Sequence, residues 1–431
     1  MSLTSRVLAG LVLGLAAGAA VAALQHPALL ALVPIVEPVG VLWLNALRMT
    51  VVPLVVSLLV TGIAEASAVA AAGRVGGRTL AVVAVMLTAA GIYGAIATPL
   101  LLSWFPIAPA TESALGEMLG GSTARAEAVP GFAEWITGLV PANPIEAAAS
   151  GAMLPLVVFS LLFGLAAARI NPVSRETLLD FFRALREAMM VIVHWVLVLA
   201  PIGVFALVFP VGAGAGLAAL GALGHYVVLL SSLCIIATIL VYPATSVFSR
   251  VPLRKFASAV APAQAIAFST RSSLASLPAM LEGVQRHLTL PAPVTGLVLP
   301  LAVSLMRITS PIVNLASALF AAALLRMDLT PLQIATGALV AILASLGSVG
   351  LPGQVSFFAT KAPVFFAMGV PVEVLGLMLA VEVIPDTFMT VGNVTGHVAA
   401  TAIVARDVEP ASVTPQNSEE AVHPPIEKDE R

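Results

Sequence analysis

Charge is what this chain has least of. Only 10% of its 431 residues are charged and 59% are hydrophobic, with a mean hydropathy of +1.05. Soluble domains carry roughly 25% charged residues, so a water-soluble globular domain is excluded and a polytopic membrane protein is expected. Basic and acidic residues nearly cancel, to a net charge of −2, which argues against nucleic acid as a partner. Cysteine is almost absent too. Cys234 stands alone in an apolar run, which rules out an intrachain disulfide and reads as a small buried hydrophobe. No Cys/His spacing suits a metal ion. No histidine or lysine base stands at plausible spacing from a nucleophilic serine, so an enzyme is not expected and no cofactor is implied.

What the chain has is apolar runs. At about 20 residues per crossing, they place spans near 6–26, 34–66, 79–104, 149–169, 187–212 and 223–247. An interrupted segment at 256–284, a long run at 292–325, a second interrupted segment at 331–369 and a final run at 371–405 follow. Residues 407–431 are polar and expected to be disordered. The run after Arg6 contains Ala17-Gly-Ala-Ala-Val-Ala-Ala23, which resembles a signal-peptide cleavage region, but it continues too far and reads better as a retained first span.

The basic residues orient this map. With Arg6 cytoplasmic, Arg74 and Arg78 fall inside, the acidic loop 105–148 outside, and Arg169, Arg175, Arg183 and Arg186 inside again. Arg250, Arg254 and Lys255 are then on the same side as Arg286, so 256–284 must enter and leave by one face. The second interrupted segment dips in from the opposite face, an inverted repeat, and both termini lie in the cytoplasm. Arg326 and Lys361 are the exceptions to the pattern.

Both interruptions are polar. One reads Phe268-Ser-Thr-Arg-Ser-Ser-Leu-Ala-Ser-Leu-Pro278, the other Ser345-Leu-Gly-Ser-Val-Gly-Leu-Pro-Gly353. In hydrocarbon such backbone survives only where protein buries it or where it lines a cavity. A pair of Gly/Pro/Ser-interrupted segments points to the binding site of a secondary transporter. Charges within spans are functional candidates by default. They are Arg271 at the first tip, Arg307 in the long run, and Glu382, Asp386 and His397 on the last span. Proline 311, just beyond Arg307-Ile-Thr309-Ser310, is expected to break that helix. Arg307 then either covers freed carbonyls or faces the ligand. Glu382, Asp386, Thr390, Asn393 and His397 recur at helical spacing and form one polar face; Glu382, nearest an end, also reads as a wet structural carboxylate. Asp386 would accept an ammonium group. Hydroxyls and N–H groups at the hairpin tips (Ser272, Ser273, Gly350, Pro352 and Gly353) suit a carboxylate. Together they describe an amino acid site.

These residues resemble the dicarboxylate/amino acid:cation symporter family. Leu47-Arg-Met-Thr-Val-Val-Pro-Leu-Val55, Val140-Pro-Ala-Asn-Pro144, Phe159-Ser-Leu-Leu-Phe-Gly164 and Ala200-Pro-Ile-Gly-Val-Phe205 resemble its scaffold motifs. The serine-rich segment at 268–278 resembles its first hairpin tip and Gly350-Leu-Pro-Gly353 its second. Asp386, Thr390 and Asn393-Val-Thr-Gly396 resemble its substrate-binding last helix. The resemblance implies an all-α inner-membrane protein of eight transmembrane helices plus two re-entrant hairpins, assembled as a homotrimer among lipids. Scaffold helices would come from 1–78 and 149–222. A transport domain moving as an elevator would come from 79–104 and 223–406.

The departures from that pattern are informative. Where the family has Asn-Met-Asp-Gly-Thr, with sodium ligands, this chain has Met306-Arg307-Ile308-Thr309-Ser310. His397 replaces a sodium-binding aspartate, Glu382 a further aspartate, and Met389 the arginine that binds an acidic side chain. A neutral substrate is therefore favoured, with Arg271 able to supply charge for an acidic one. Sodium coupling is expected to be lost or reduced, the Arg307 guanidinium standing in for a bound ion. His397, Glu382 and Asp386 could carry a proton. Na+ and H+ both remain open as coupling ions. A sodium-coupled acidic amino acid symporter, an uncoupled or anion-conducting facilitator and a non-transporting sensor are the competing readings.

Overall fold

The computed structural model describes residues 3–24, 26–71, 73–109, 137–215, 218–288, 290–347 and 353–406. Among these residues there are seventeen helices and no strand. They are α1 (Leu3–Leu24), α2 (Pro27–Leu30), α3 (Val33–Ala71), α4 (Arg74–Trp104), α5 (Pro144–Ser150), α6 (Met153–Ala167), α7 (Pro172–Val198), α8 (Ala200–Ala215) and α9 (Ala218–Ser249). The second half holds α10 (Leu253–Thr270), α11 (Leu277–His287), α12 (Ala292–Leu305), α13 (Thr309–Leu324), α14 (Pro331–Gly347), α15 (Gly353–Met368), α16 (Val374–Leu379) and α17 (Val383–Ala405).

Among the described residues, five helical stretches, one of them α12 with α13, are long and apolar enough to cross a membrane, and six if α7 with α8 is one bent span. The expected eight crossings also require the shorter apolar stretches Ala9–Leu24 and Met153–Ala167. The expected fifth span, 187–212, is not one straight helix. It bends by 59° where α7 gives way to α8, because Pro201 lacks the N–H that would continue α7 and instead opens a new first turn.

α1 packs along α8 with its glycines facing the partner backbone. A Cβ on Gly14 would lie 2.8 Å from the Phe205 carbonyl oxygen, and Gly10 and Gly18 meet Pro201 and Phe209 in the same way. Small residues four apart are how apolar helices approach closely where no hydrophobic effect drives them together. α3 packs against α6, α7 and α8, and Trp43 on α3 donates its indole N–H to the Val196 carbonyl at 2.8 Å.

In the second half, α10 and α11 fold back on each other as a helical hairpin turning at 271–276, and α14 and α15 do the same. Gly283 backs onto the Ala259 carbonyl, leaving no room for a side chain between the arms of the first hairpin. The turn of the second, with Gly350 and Pro352, lies outside the described residues, and Gly353 opens α15. Between the hairpins runs a broken helix. α12 ends with Met306 in an extended conformation and α13 starts at Thr309, so the break falls at 306–308 rather than at Pro311. Pro311 sits in the first turn of α13, where its missing N–H has no helical partner to lose. α17 lies against α9, α10 and α12, and α13 is buried along nearly its whole length.

Candidate functional site

The last helix organises the polar centre. Asn393 and His397, one turn apart on α17, bracket the break between α12 and α13. The Asn393 Oδ1 accepts from the Thr309 backbone N–H and from the Thr309 hydroxyl, both at 3.0 Å. It thereby satisfies an N-terminal donor of α13 that has no helical acceptor. His397 Nε2 lies 2.7 Å from the Met306 carbonyl at the C-terminal end of α12. A carbonyl only accepts, so the proton is on Nε2, while Nδ1 is buried without a partner. The Thr309 hydroxyl also donates to the Met389 carbonyl at 3.1 Å.

Two glycines let α17 come this close. A Cβ on Gly392 would lie 2.5 Å from Thr309 Cγ2, and one on Gly396 would lie 2.7 Å from Ile308 Cγ2. Gly392→Ala is therefore expected to cost about 1–3 kcal/mol through overpacking. The thermal unfolding midpoint in detergent checks this; an unchanged midpoint would mean the helices separate without cost.

Asp386 stands two turns before Asn393 on the same face. It is half-buried, and among the described residues its carboxylate takes no hydrogen bond. Arg307 at the break, Arg271 at the first hairpin turn and Lys361 on the second hairpin all lie within its electrostatic reach. The structure thus brings Arg271, Arg307 and Asp386 together from three separate elements. Arg271 is exposed, in the left-handed conformation that ends α10. The adjoining turn is held by its own hydroxyls: Ser272 Oγ accepts from the Ala275 N–H at 3.2 Å, and Ser273 beside it is half-buried. Between Asp386 and Asn393, Met389 is buried and Thr390 turns its hydroxyl back to the Asp386 carbonyl. The amide nitrogen of Asn393 is buried with no hydrogen-bond acceptor among the described residues.

The remaining positions form a second cluster. Ser310 accepts from Asn314 Nδ2, and Asn314 Oδ1 accepts from Thr360 on α15, each at 3.1 Å. Glu382 is not a wet carboxylate. It is 8% exposed; Lys361 Nζ lies 3.0 Å from its Oε1, and the Tyr226 hydroxyl donates to its Oε2 at 2.9 Å. Tyr226 also lies 3.1 Å from Ser317 Oγ. Sequence reasoning left Lys361 as an unexplained exception; the signal was there, a lone lysine in an apolar hairpin arm. It missed Tyr226 and Gln264 altogether. Gln264 on α10 donates to Thr395 at 2.8 Å and accepts from Tyr242 at 3.1 Å, fastening the first hairpin to α17 and α9. No group of three or more His, Cys, Asp or Glu side chains able to hold a metal ion occurs among the described residues.

Two helical hairpins, a broken helix and a polar last helix are the build of a secondary transporter. The chain belongs to the sodium:dicarboxylate symporter family, which it matches over residues 3–407. It is 31% identical over 385 residues to a proton/glutamate-aspartate symporter of Escherichia coli (strain K12), covering 87% of this chain and 85% of that protein. It is 28% identical over 406 residues to a proton/sodium-glutamate symport protein of Bacillus subtilis (strain 168), covering 94% and 92%. The chain is therefore a membrane transporter of the symporter class and not an enzyme by family.

Proposed function

We propose that this protein carries a neutral amino acid across the cell's inner membrane, coupled to a cation, with the half of the chain from α9 onward moving together with α4 against a scaffold of α1, α3 and α6 to α8. The observation that carries the substrate class is the face of α17. Asp386 offers an acceptor for an ammonium group, Asn393 an open donor, and the position between them is Met389, buried and apolar. A cation there would give an acidic side chain its planar partner; a methionine gives it an apolar wall. The first hairpin turn, with Ser272 and Ser273, supplies hydroxyls for the α-carboxylate.

Coupling in this reading differs from a sodium site built of carboxylates. Arg307 lies within electrostatic reach of Asp386 and of His397, and Glu382 is taken by Lys361. Thr309 and Ser310 are bound to Asn393 and Asn314. Few hard oxygen ligands are left for sodium, and His397, with its unpartnered Nδ1, is the side chain here best suited to exchange a proton. Both relatives described above are proton-linked symporters.

A second reading, an acidic substrate, is favoured by two observations: both relatives above are glutamate symporters, and Arg271 and Arg307 both act on Asp386, so their charges exceed its own by one. Met389→Arg separates the two. Restoring a bidentate partner should raise aspartate affinity about 10- to 100-fold, the value of a charge-assisted hydrogen bond, and lower that for leucine-class substrates. Competition with labelled leucine, serine and aspartate in proteoliposomes measures it. Strong aspartate uptake by the unaltered protein, lost on Arg271→Ala, would overturn the neutral reading.

A further inference from the structure

The Lys361–Glu382 pair is an ion pair buried in the interior, and Lys361 is also within electrostatic reach of Asp386. Lys361 is 1% exposed, on the arm of the second hairpin. Its Nζ lies 3.0 Å from Glu382 Oε1 and 5.0 Å from the centre of the Phe357 ring. The ammonium is held as a point charge between a carboxylate and an aromatic face, contacts that a bare monovalent cation makes equally well. Glu382's other oxygen is already satisfied by Tyr226, so one positive charge at Oε1 completes the site. As a source of stability such a pair is poor, because burying both charges costs as much as their attraction returns, and apolar residues of the same volume often do better.

We propose that Lys361 is a tethered counter-cation: its ammonium permanently fills the place at Glu382 that an exchangeable monovalent cation would otherwise occupy. The inference deepens the transport reading above and rests on it for its consequence, which is that Glu382 carries no coupling ion through the cycle. It also ties the second hairpin to the last helix by a charge that cannot leave.

The test is direct cation binding by the purified full-length protein without substrate, so that it stands apart from whether and what the protein transports. Thermal unfolding is followed in sodium, potassium and choline chloride at equal ionic strength. The unaltered protein and Lys361→Arg are expected to unfold at the same temperature in all three. Lys361→Met is expected to unfold several degrees earlier in choline and to recover along a saturable curve in sodium or potassium, as a ligand binding only the folded state must produce. Lys361→Met/Glu382→Gln should show no such recovery. Absence of a saturable response in Lys361→Met, or a response that persists in the double variant, would overturn the proposal. Should Lys361→Met be recovered folded only in sodium or potassium, that dependence supports it. Should Lys361→Met and Lys361→Asn both fail to fold in every cation, no free ion replaces the ammonium and the proposal is wrong.

Discussion

Asp386→Asn is expected to weaken amino acid binding by about 100-fold, or about 2.7 kcal/mol, the upper range for a hydrogen bond to a charged group. The carboxylate is half-buried, takes no hydrogen bond among the described residues, and lies within electrostatic reach of Arg307 and Arg271. In the reading proposed above, its partner is the substrate's ammonium group. Because no protein hydrogen bond is lost, the unfolding midpoint of the substrate-free variant should move little. Calorimetric titration together with thermal unfolding separates the two effects. Undiminished affinity would place the ammonium elsewhere, and a large fall in the midpoint would make Asp386 a counter-charge for the arginines.

Glu382→Gln is expected to be the most damaging single change to folding. It leaves the Lys361 ammonium in a site that is 1% exposed, over the Phe357 ring and with no carboxylate beside it. An uncompensated buried charge costs about 3–5 kcal/mol. Removing both charges, in Lys361→Met/Glu382→Gln, should restore most of that loss, because the cost lies in the unpaired partner and not in the absence of the pair. Thermal unfolding of the two variants side by side measures it. A double variant no more stable than the single one would show that the pair itself holds the second hairpin against α17.

Much of this arrangement is legible in the sequence because the membrane makes polarity conspicuous. The first interrupted segment, expected at 256–284, is a helical hairpin over 253–287. Asp386, Thr390, Asn393 and His397 lie on one helix, α17, and Glu382 immediately precedes it. What was not legible is where each side chain's partner lies. Asn393 and His397 look like ligands in a pattern, yet Asn393 Oδ1 and His397 Nε2 hold the two ends of the break at 306–308. Lys361 and Glu382 lie 21 residues apart in sequence, on different helices, and only tertiary packing shows that they meet. Pro311 marked a discontinuity but not its position, because proline is tolerated in a first turn as readily as it ends a helix. Leu199 carried no signal of its own for the bend between α7 and α8; Pro201 did, two residues on.

Isothermal titration of the purified protein with leucine, serine and aspartate, with sodium present and with choline in its place, tests most directly whether cation coupling at this amino acid site is altered. A neutral amino acid should bind, with the same affinity in both salts. Binding of aspartate alone, and only when sodium is present, would contradict it: the oxygen ligands lost at Ile308 and His397 would then be replaced elsewhere, and Arg307 and Lys361 would not stand in for ions.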